Sequence, residues 1–267
     1  MIRDITLGQY YNTKSIIHSL DPRTKLFITM IYFISLFISN NIYAYILAGI
    51  FLLLFIKLSN VPFSFIVKGL KSLLILLIIS LVFNLFLTPG KELIKIGFLK
   101  ITYEGLELSI KMAVRLIYLV LFSSILTLTT TPGKLTDGLE KSLSFLKVFK
   151  IPVSEIALMM SISLRFIPIL IEETDKIMKA QMSRGASFDE GSIIEKAKSL
   201  IPLLVPLFVS AFRRAGDLAV AMESRCFSES EGRTKLNPLK YSKTDYIYYS
   251  ISLIYIILIF ITKWLKI

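Results

Sequence analysis

Charged residues vanish from this chain in long blocks, and each block approaches the length of a membrane span or exceeds it. No charge occurs from Leu26 to Ile56, from Ser72 to Gly90, from Leu116 to Gly133, or from Tyr246 to Thr262. A helix needs about 20 apolar residues to cross about 30 Å of hydrocarbon. The first block holds two spans, divided at Asn40-Asn41, where a tight hairpin is expected. The block at Leu116 extends back toward Leu106. The pattern predicts an all-α, polytopic membrane protein with about five transmembrane helices.

Between the last two blocks the pattern changes to charges mixed with apolar residues at helical spacing. Pro152 suits the first turn of a helix and Glu155 favours its N-terminal end. That segment runs through Arg165 and a bend at Pro168 to Gln181, a rod about 45 Å long. A second rod carries Ile194, Ala197, Ile201, Leu204, Phe208, Ala211, Ala215, Leu218 and Met222 at alternating steps of three and four, which is one helical stripe. Arg225 falls on the next step. Arg213, Arg214, Asp217 and Glu223 lie off the stripe, whose expected place is against the first rod or the spans. Pro202 and Pro206 should kink the first half.

Both rods end in a Ser-Arg tripeptide, Ser183-Arg184-Gly185 and Ser224-Arg225-Cys226. The helix macrodipole favours a cation at a C-terminus, so one such arginine is ordinary. Recurrence on two successive rods points to docking. A guanidinium held at a rigid tip makes forked hydrogen bonds to carboxylates or helix-end carbonyls of another protein. The chain thus divides into a membrane domain with four spans (1–131), two long crossed coupling helices (132–244) and a last transmembrane helix (245–267).

Charge sets the orientation. The net charge is +12, with 54% hydrophobic residues. Arg3, Lys14, Arg23 and Lys25 precede the first span, Lys57, Lys68 and Lys71 separate the second from the third, and more than half of all basic residues lie in 132–244. The excess of lysine and arginine predicts a cytoplasmic N-terminus and cytoplasmic coupling helices, in a multi-pass plasma-membrane protein. Positive charge alternating with uncharged runs fits anionic lipid, and no nucleic-acid partner is expected. Lys111 and Arg115, near the fourth span, must snorkel or face other helices. Asn84, in the third, offers a hydrogen bond across helices, in packing rather than transport.

Chemistry is sparse. One cysteine and one histidine allow neither an internal disulfide nor a Cys/His metal cluster. Met1-Ile2-Arg3-Asp4 does not open an apolar leader. No phosphate loop occurs: Gly90-Lys91 is followed by Glu92, and Gly133-Lys134 by Leu135. No zinc-protease motif or nucleophile elbow is found. The expected protein is not an enzyme, binds no cofactor itself, and takes any energy for transport from a partner. A self-contained secondary transporter or an intramembrane enzyme would need charged or nucleophilic groups inside the spans.

The order and spacing of several segments carry a resemblance. They are Gly8-Gln9-Tyr10, Leu20 through Leu26 (Leu-Asp-Pro-Arg-Thr-Lys-Leu), Thr129-Thr130-Thr131-Pro132, Leu135 through Glu140, Ala157 through Pro168, Glu172 through Asp175, Lys179 through Met182, Arg214 through Glu223, and Gly232-Arg233-Thr234. Over essentially its whole length the chain resembles the transmembrane T component of energy-coupling factor (ECF) transporters, which import vitamins and related micronutrients. The resemblance implies two cytoplasmic ATP-binding-cassette subunits as partners, which bind ATP and magnesium. It also implies a small membrane S component, which binds the substrate and topples to release it. In that family the two tips carry Ala-Arg-Gly signatures that insert into grooves on the ATPases. The matching residues are Ser183, Arg184 and Gly185, and Ser224, Arg225 and Cys226. The pattern is closest to the shared type serving several S components, with a dedicated cobalt, nickel or single-vitamin importer as the alternative. Cys226 stands where the family has glycine, and a β-carbon disfavours a left-handed turn, so the second cap is expected to differ in shape.

Overall fold

A computed structural model describes residues 10–38, 41–96, 99–186, 188, 192, 194, 198–227 and 236–264. The larger of its two compact units comprises 8–142 and 239–267. It contains α1 (Ile16–Ser19), α2 (Pro22–Ile38), α3 (Ile42–Ser59), α4 (Phe63–Leu87), strands β1 (Glu92–Ile96) and β2 (Leu99–Thr102), α5 (Tyr103–Thr129) and α6 (Pro132–Ser142). The final helix, α9 (Lys243–Trp264), returns to the same unit. The other unit, within 143–238, holds a 3₁₀ helix (Ser144–Phe149), α7 (Val153–Ser183) and α8 (Ile201–Glu223).

The all-α membrane architecture stands. Four described helices, α3, α5, α7 and α9, are long and apolar enough to cross a membrane, and α4, bent by 59° between Lys71 and Leu73, is a fifth if its arms form one span. Helix α2 has 17 residues, about 25 Å of rise, close to the hydrocarbon thickness. Helix α7 meets the same length and apolarity test because Val153–Leu164 carries a single charge, Glu155. Length and composition alone therefore do not separate this rod from the spans.

The larger unit is centred on stacked aromatic rings. Tyr32 is fully buried. Its ring lies 4.2 Å from that of Phe122, 5.9 Å from Phe51 and 6.1 Å from Tyr255, and Phe51 lies 4.2 Å from Tyr255. The cluster joins α2, α3, α5 and α9, and offset stacking adds to the burial of each ring. Its polar ends are satisfied: Tyr32 donates to the Ala48 carbonyl (3.2 Å), and the Tyr255 and Ser35 hydroxyls share a hydrogen bond (2.7 Å).

A polar knot ties the lysine-rich ends of these helices. Asp21 caps α2, accepting from the Arg23 amide at 2.9 Å, with Pro22 in the first turn. Asp245 accepts from the Ser242 amide and hydroxyl (both 2.7 Å), closing a capping box on α9, and from the Asp21 amide (2.9 Å). One buried carboxylate thus joins the starts of two helices 224 positions apart. Arg23 pairs with Asp21 (2.9 Å) and lies 3.8 Å over the Tyr241 ring. Lys25 donates to the Thr129 carbonyl (2.9 Å) and the Thr130 hydroxyl (3.2 Å), drawing in the end of α5. Helix α6 packs on the start of α2 through Gly138, where an added Cβ would come within 2.8 Å of Pro22. The preceding segment is strapped on by Tyr11, whose amide bonds the Leu128 carbonyl (2.9 Å). Burial, with Lys25 and Lys134 nearby, pushes the His18 pKa below its ordinary value; the neutral ring donates from Nε2 to the Tyr11 carbonyl (3.0 Å).

One expectation changes, at Asn84, one is met, at Arg115, and one element is new. The third-to-fourth connection contains an antiparallel hairpin pairing Ile94 with Ile101 and Ile96 with Leu99. Asn84 bonds the Ser80 carbonyl (2.8 Å) one turn back, within its own helix; the link between α4 and α5 comes from Ser109, which donates to the Leu81 carbonyl (3.3 Å). Arg115 does turn to other helices, donating to the Tyr45 hydroxyl (2.9 Å) beside Phe37, while Lys111 pairs with Glu107 on its own helix (2.6 Å).

Candidate docking site at two helix tips

Both Ser-Arg tripeptides are exposed and end their helices in the same way. At the end of α7 the amide of Arg184 bonds the Gln181 carbonyl, that of Gly185 bonds Met182, and that of Ala186 returns to Gln181, each at 3.0 Å. At the end of α8 the amide of Arg225 bonds Met222 (3.1 Å), that of Cys226 bonds Glu223 (2.8 Å), and that of Phe227 returns to Met222 (3.0 Å). These are two Schellman turns, which satisfy helix-end carbonyls through a residue of positive φ. Gly185 has φ 89° and Cys226 has φ 53°. The expected difference in shape at the second tip is therefore absent. Three backbone hydrogen bonds outweigh the left-handed cost of a β-carbon, about 1–2 kcal/mol.

The serines are absorbed locally. Ser183 donates to the Lys179 carbonyl and Ser224 to the Ala221 carbonyl, each at 3.0 Å. Neither hydroxyl alters the cap, and each arginine projects from equivalent backbone. The Cys226 thiol is free and exposed.

Helices α7 and α8 pass each other antiparallel. Gln181 donates to the Pro202 carbonyl (3.4 Å), and Ser210 donates to Glu173 (3.1 Å). Arg214 forms an ion pair with the same Glu173 carboxylate. Glu173 stands eleven residues before Arg184, and Arg214 stands eleven residues before Arg225. The ion pair therefore lies midway between the tips, about 16 Å of helix from each. Antiparallel packing places the two arginines at opposite ends of the pair, roughly 30 Å apart.

The packed face of α8 follows the sequence stripe in its second half, where Ala211, Leu218 and Met222 are half-buried, and departs from it in the first. Leu203 is buried, with Leu207, Ser210 and Arg214 half-buried, whereas Ile201, Leu204 and Phe208 are exposed. Arg214, placed off the stripe by periodicity, turns toward α7 because Glu173 receives it, and the exposed apolar row rotates away. Ala197 of that stripe lies outside the described residues.

The Glu173–Ser210–Arg214 brace and the Asp21–Asp245 knot were not singled out from sequence. Local signals existed for the knot alone: Asp-Pro at 21–22 is a helix start, and Ser242 followed three residues on by Asp245 is a capping pattern. Nothing local pairs Glu173 with Arg214.

The family model CbiQ, described as cobalt transport protein, matches residues 13–236. A protein of Ruminiclostridium cellulolyticum named energy-coupling factor transporter transmembrane protein EcfT is 50% identical over 255 residues, 96% of each chain. Proteins of the same name from Clostridium kluyveri and Bacillus subtilis are 51% identical over 249 residues and 48% over 246, covering 92% of this chain in both cases and 92% and 93% of theirs.

Proposed function

The chain belongs to this family as the transmembrane T component of an ECF transporter, and from that premise we propose that it couples two ATPases to a substrate-binding S component. The N-terminus and the 132–244 region face the cytoplasm. Arg184 and Arg225 dock into two ATP-binding-cassette subunits, which hold ATP and magnesium. Nucleotide-driven closure of the ATPases moves the tips, and the rods pass that motion to the membrane half. The S component carries a vitamin or related micronutrient, and this chain contributes no catalytic group.

The observation that carries this reading is the pair of equivalent arginine-bearing turns at opposite ends of one braced helix pair. Two motors require two handles, and a guanidinium fixed at a helix cap is pre-organised for forked hydrogen bonds. Arg184→Glu and Arg225→Glu, singly and together, test it by co-purification of the ATPase subunits and uptake of labelled vitamin. Loss of both is expected in the double variant. Normal values for both would refute the coupling role.

A dedicated cobalt or nickel importer is the second reading, favoured by the description of the matching family model. The partners that co-purify in mild detergent separate the two: several alternative S components identify the shared type, one fixed metal-specific partner the dedicated type.

A further inference from the structure

The segment between α6 and α7 has a chemistry that docking of the tips does not use. From Lys141 to Ser154 the chain contains no acidic residue. Within it, Ser144–Phe149 forms a 3₁₀ helix of six residues, longer than the three or four usual for this geometry. Side chains three apart eclipse in a 3₁₀ helix, so Phe145 and Val148 share one edge, while Lys147 and the capping residue Lys150 are both exposed. Leu146 is half-buried, and its carbonyl accepts the Ile151 amide (3.4 Å). Phe145, Val148 and Phe149 are 60%, 84% and 72% exposed. Three large apolar side chains thus stand in the open beside exposed lysines.

Lys150 adds an independent observation. It holds φ 60° at the helix end, where its amide bonds the Lys147 carbonyl at 2.9 Å. Glycine or asparagine is the ordinary occupant of such a position. A lysine kept at strained backbone is a pointer to work done by the side chain.

We propose that Phe145, Val148 and Phe149 insert at the headgroup–acyl boundary of an anionic membrane while Lys147 and Lys150 engage lipid phosphates. The occupant is a lipid surface because the exposed apolar residues are interleaved with cations and no acid lies between Lys141 and Ser154. That is the side-chain distribution of interfacial segments, with lysine stems running along the apolar layer and ammonium groups at the phosphates. The assignment rests on the reading that the coupling region faces the cytoplasmic leaflet. It gives the start of α7 a lipid anchor beyond its chain connections.

The test uses the full chain in lipid nanodiscs, with Trp264, the single natural tryptophan, replaced by phenylalanine and a reporter introduced as Phe149→Trp. Val148→Trp is a second reporter should the first variant be poorly produced. Discs of neutral phosphatidylcholine are compared with discs containing phosphatidylglycerol, with and without purified ATPases and S component. The expected result is blue-shifted emission, quenched by lipids brominated near the glycerol end and shielded from aqueous acrylamide. Shielding should increase with the anionic fraction. Lys147→Gln with Lys150→Gln should cut the lipid-inserted population by about five-fold per lysine. Water-like emission quenched by acrylamide in anionic discs would overturn the proposal. So would shielding that arises only when the S component is added, which would make this a protein contact. Co-purification of the ATPases with the lysine variants is measured in parallel, so failure of the anchor and failure of the coupling reading give different results.

Discussion

Exchanging the residues at the two left-handed positions tests the cap geometry in both directions. Gly185 sits at φ 89° with nothing within 4 Å of where a Cβ would stand, so Gly185→Ala adds no clash and acts through the backbone alone. A β-carbon in the left-handed region costs about 1–2 kcal/mol. Restricting the unfolded chain returns about 0.4–1 kcal/mol. The net loss is about 1 kcal/mol, or roughly a five-fold drop in the population of the closed turn. Cys226→Gly should give the reverse, roughly a five-fold gain, because φ 53° then carries no β-carbon. Cys226→Ala should change little, which separates the backbone effect from the thiol. Amide hydrogen exchange at 185–186 and 226–227 reads these populations in detergent, since those amides close the two turns. ATPase affinity should follow in the same direction, because a pre-formed turn reduces the ordering cost of docking. Slower exchange in Gly185→Ala, or faster exchange in Cys226→Gly, would refute the argument.

Two further outcomes are expected. Glu173→Ala should broaden the distance distribution between spin labels on Cys226 and on a Ser183→Cys variant, while Glu173→Arg combined with Arg214→Glu should narrow it again; a distribution as sharp in Glu173→Ala as in the parent would show the brace to be idle. Asp245→Ala strands the buried amide of Asp21, at about 1–3 kcal/mol, and removes the cap contact with the exposed Ser242, at about 1 kcal/mol, so thermal unfolding in detergent should begin roughly 5–10 °C lower; a shift under about 1 °C would remove the knot from the account.

The spans were legible because desolvating a charge is costly and the chain omits charges where the bilayer is. Their ends were less so: α5 begins at Tyr103 and α4 at Phe63, in stretches where charges hide a continuing helix. The hairpin was missed because its paired strands are only five and four residues long. Periodicity marked the second rod as a helix but misassigned the packed face of its first half and left out Arg214, since the partner that orients Arg214 lies 41 positions away. The knot spans 224 positions, and only its caps leave a local trace. The tips were legible as tripeptides. The shape of the second was misjudged because the φ penalty was weighed without the three hydrogen bonds that oppose it.

The position of the brace adds a constraint on how force can travel. Two antiparallel helices are related by an approximate two-fold axis, and that axis passes where equivalent residues meet. Glu173 and Arg214 are equivalent in that sense, each eleven residues from its arginine tip. A contact on the axis leaves both arms equal, so a push on one tip has the same leverage as a push on the other. Opposite charge at the axis also favours the unlike pair over two copies of either helix, since a self-paired rod would set Glu173 against Glu173 or Arg214 against Arg214. Under the proposed coupling role, equal arms with an unlike pivot would let a single chain answer two ATPase subunits alike.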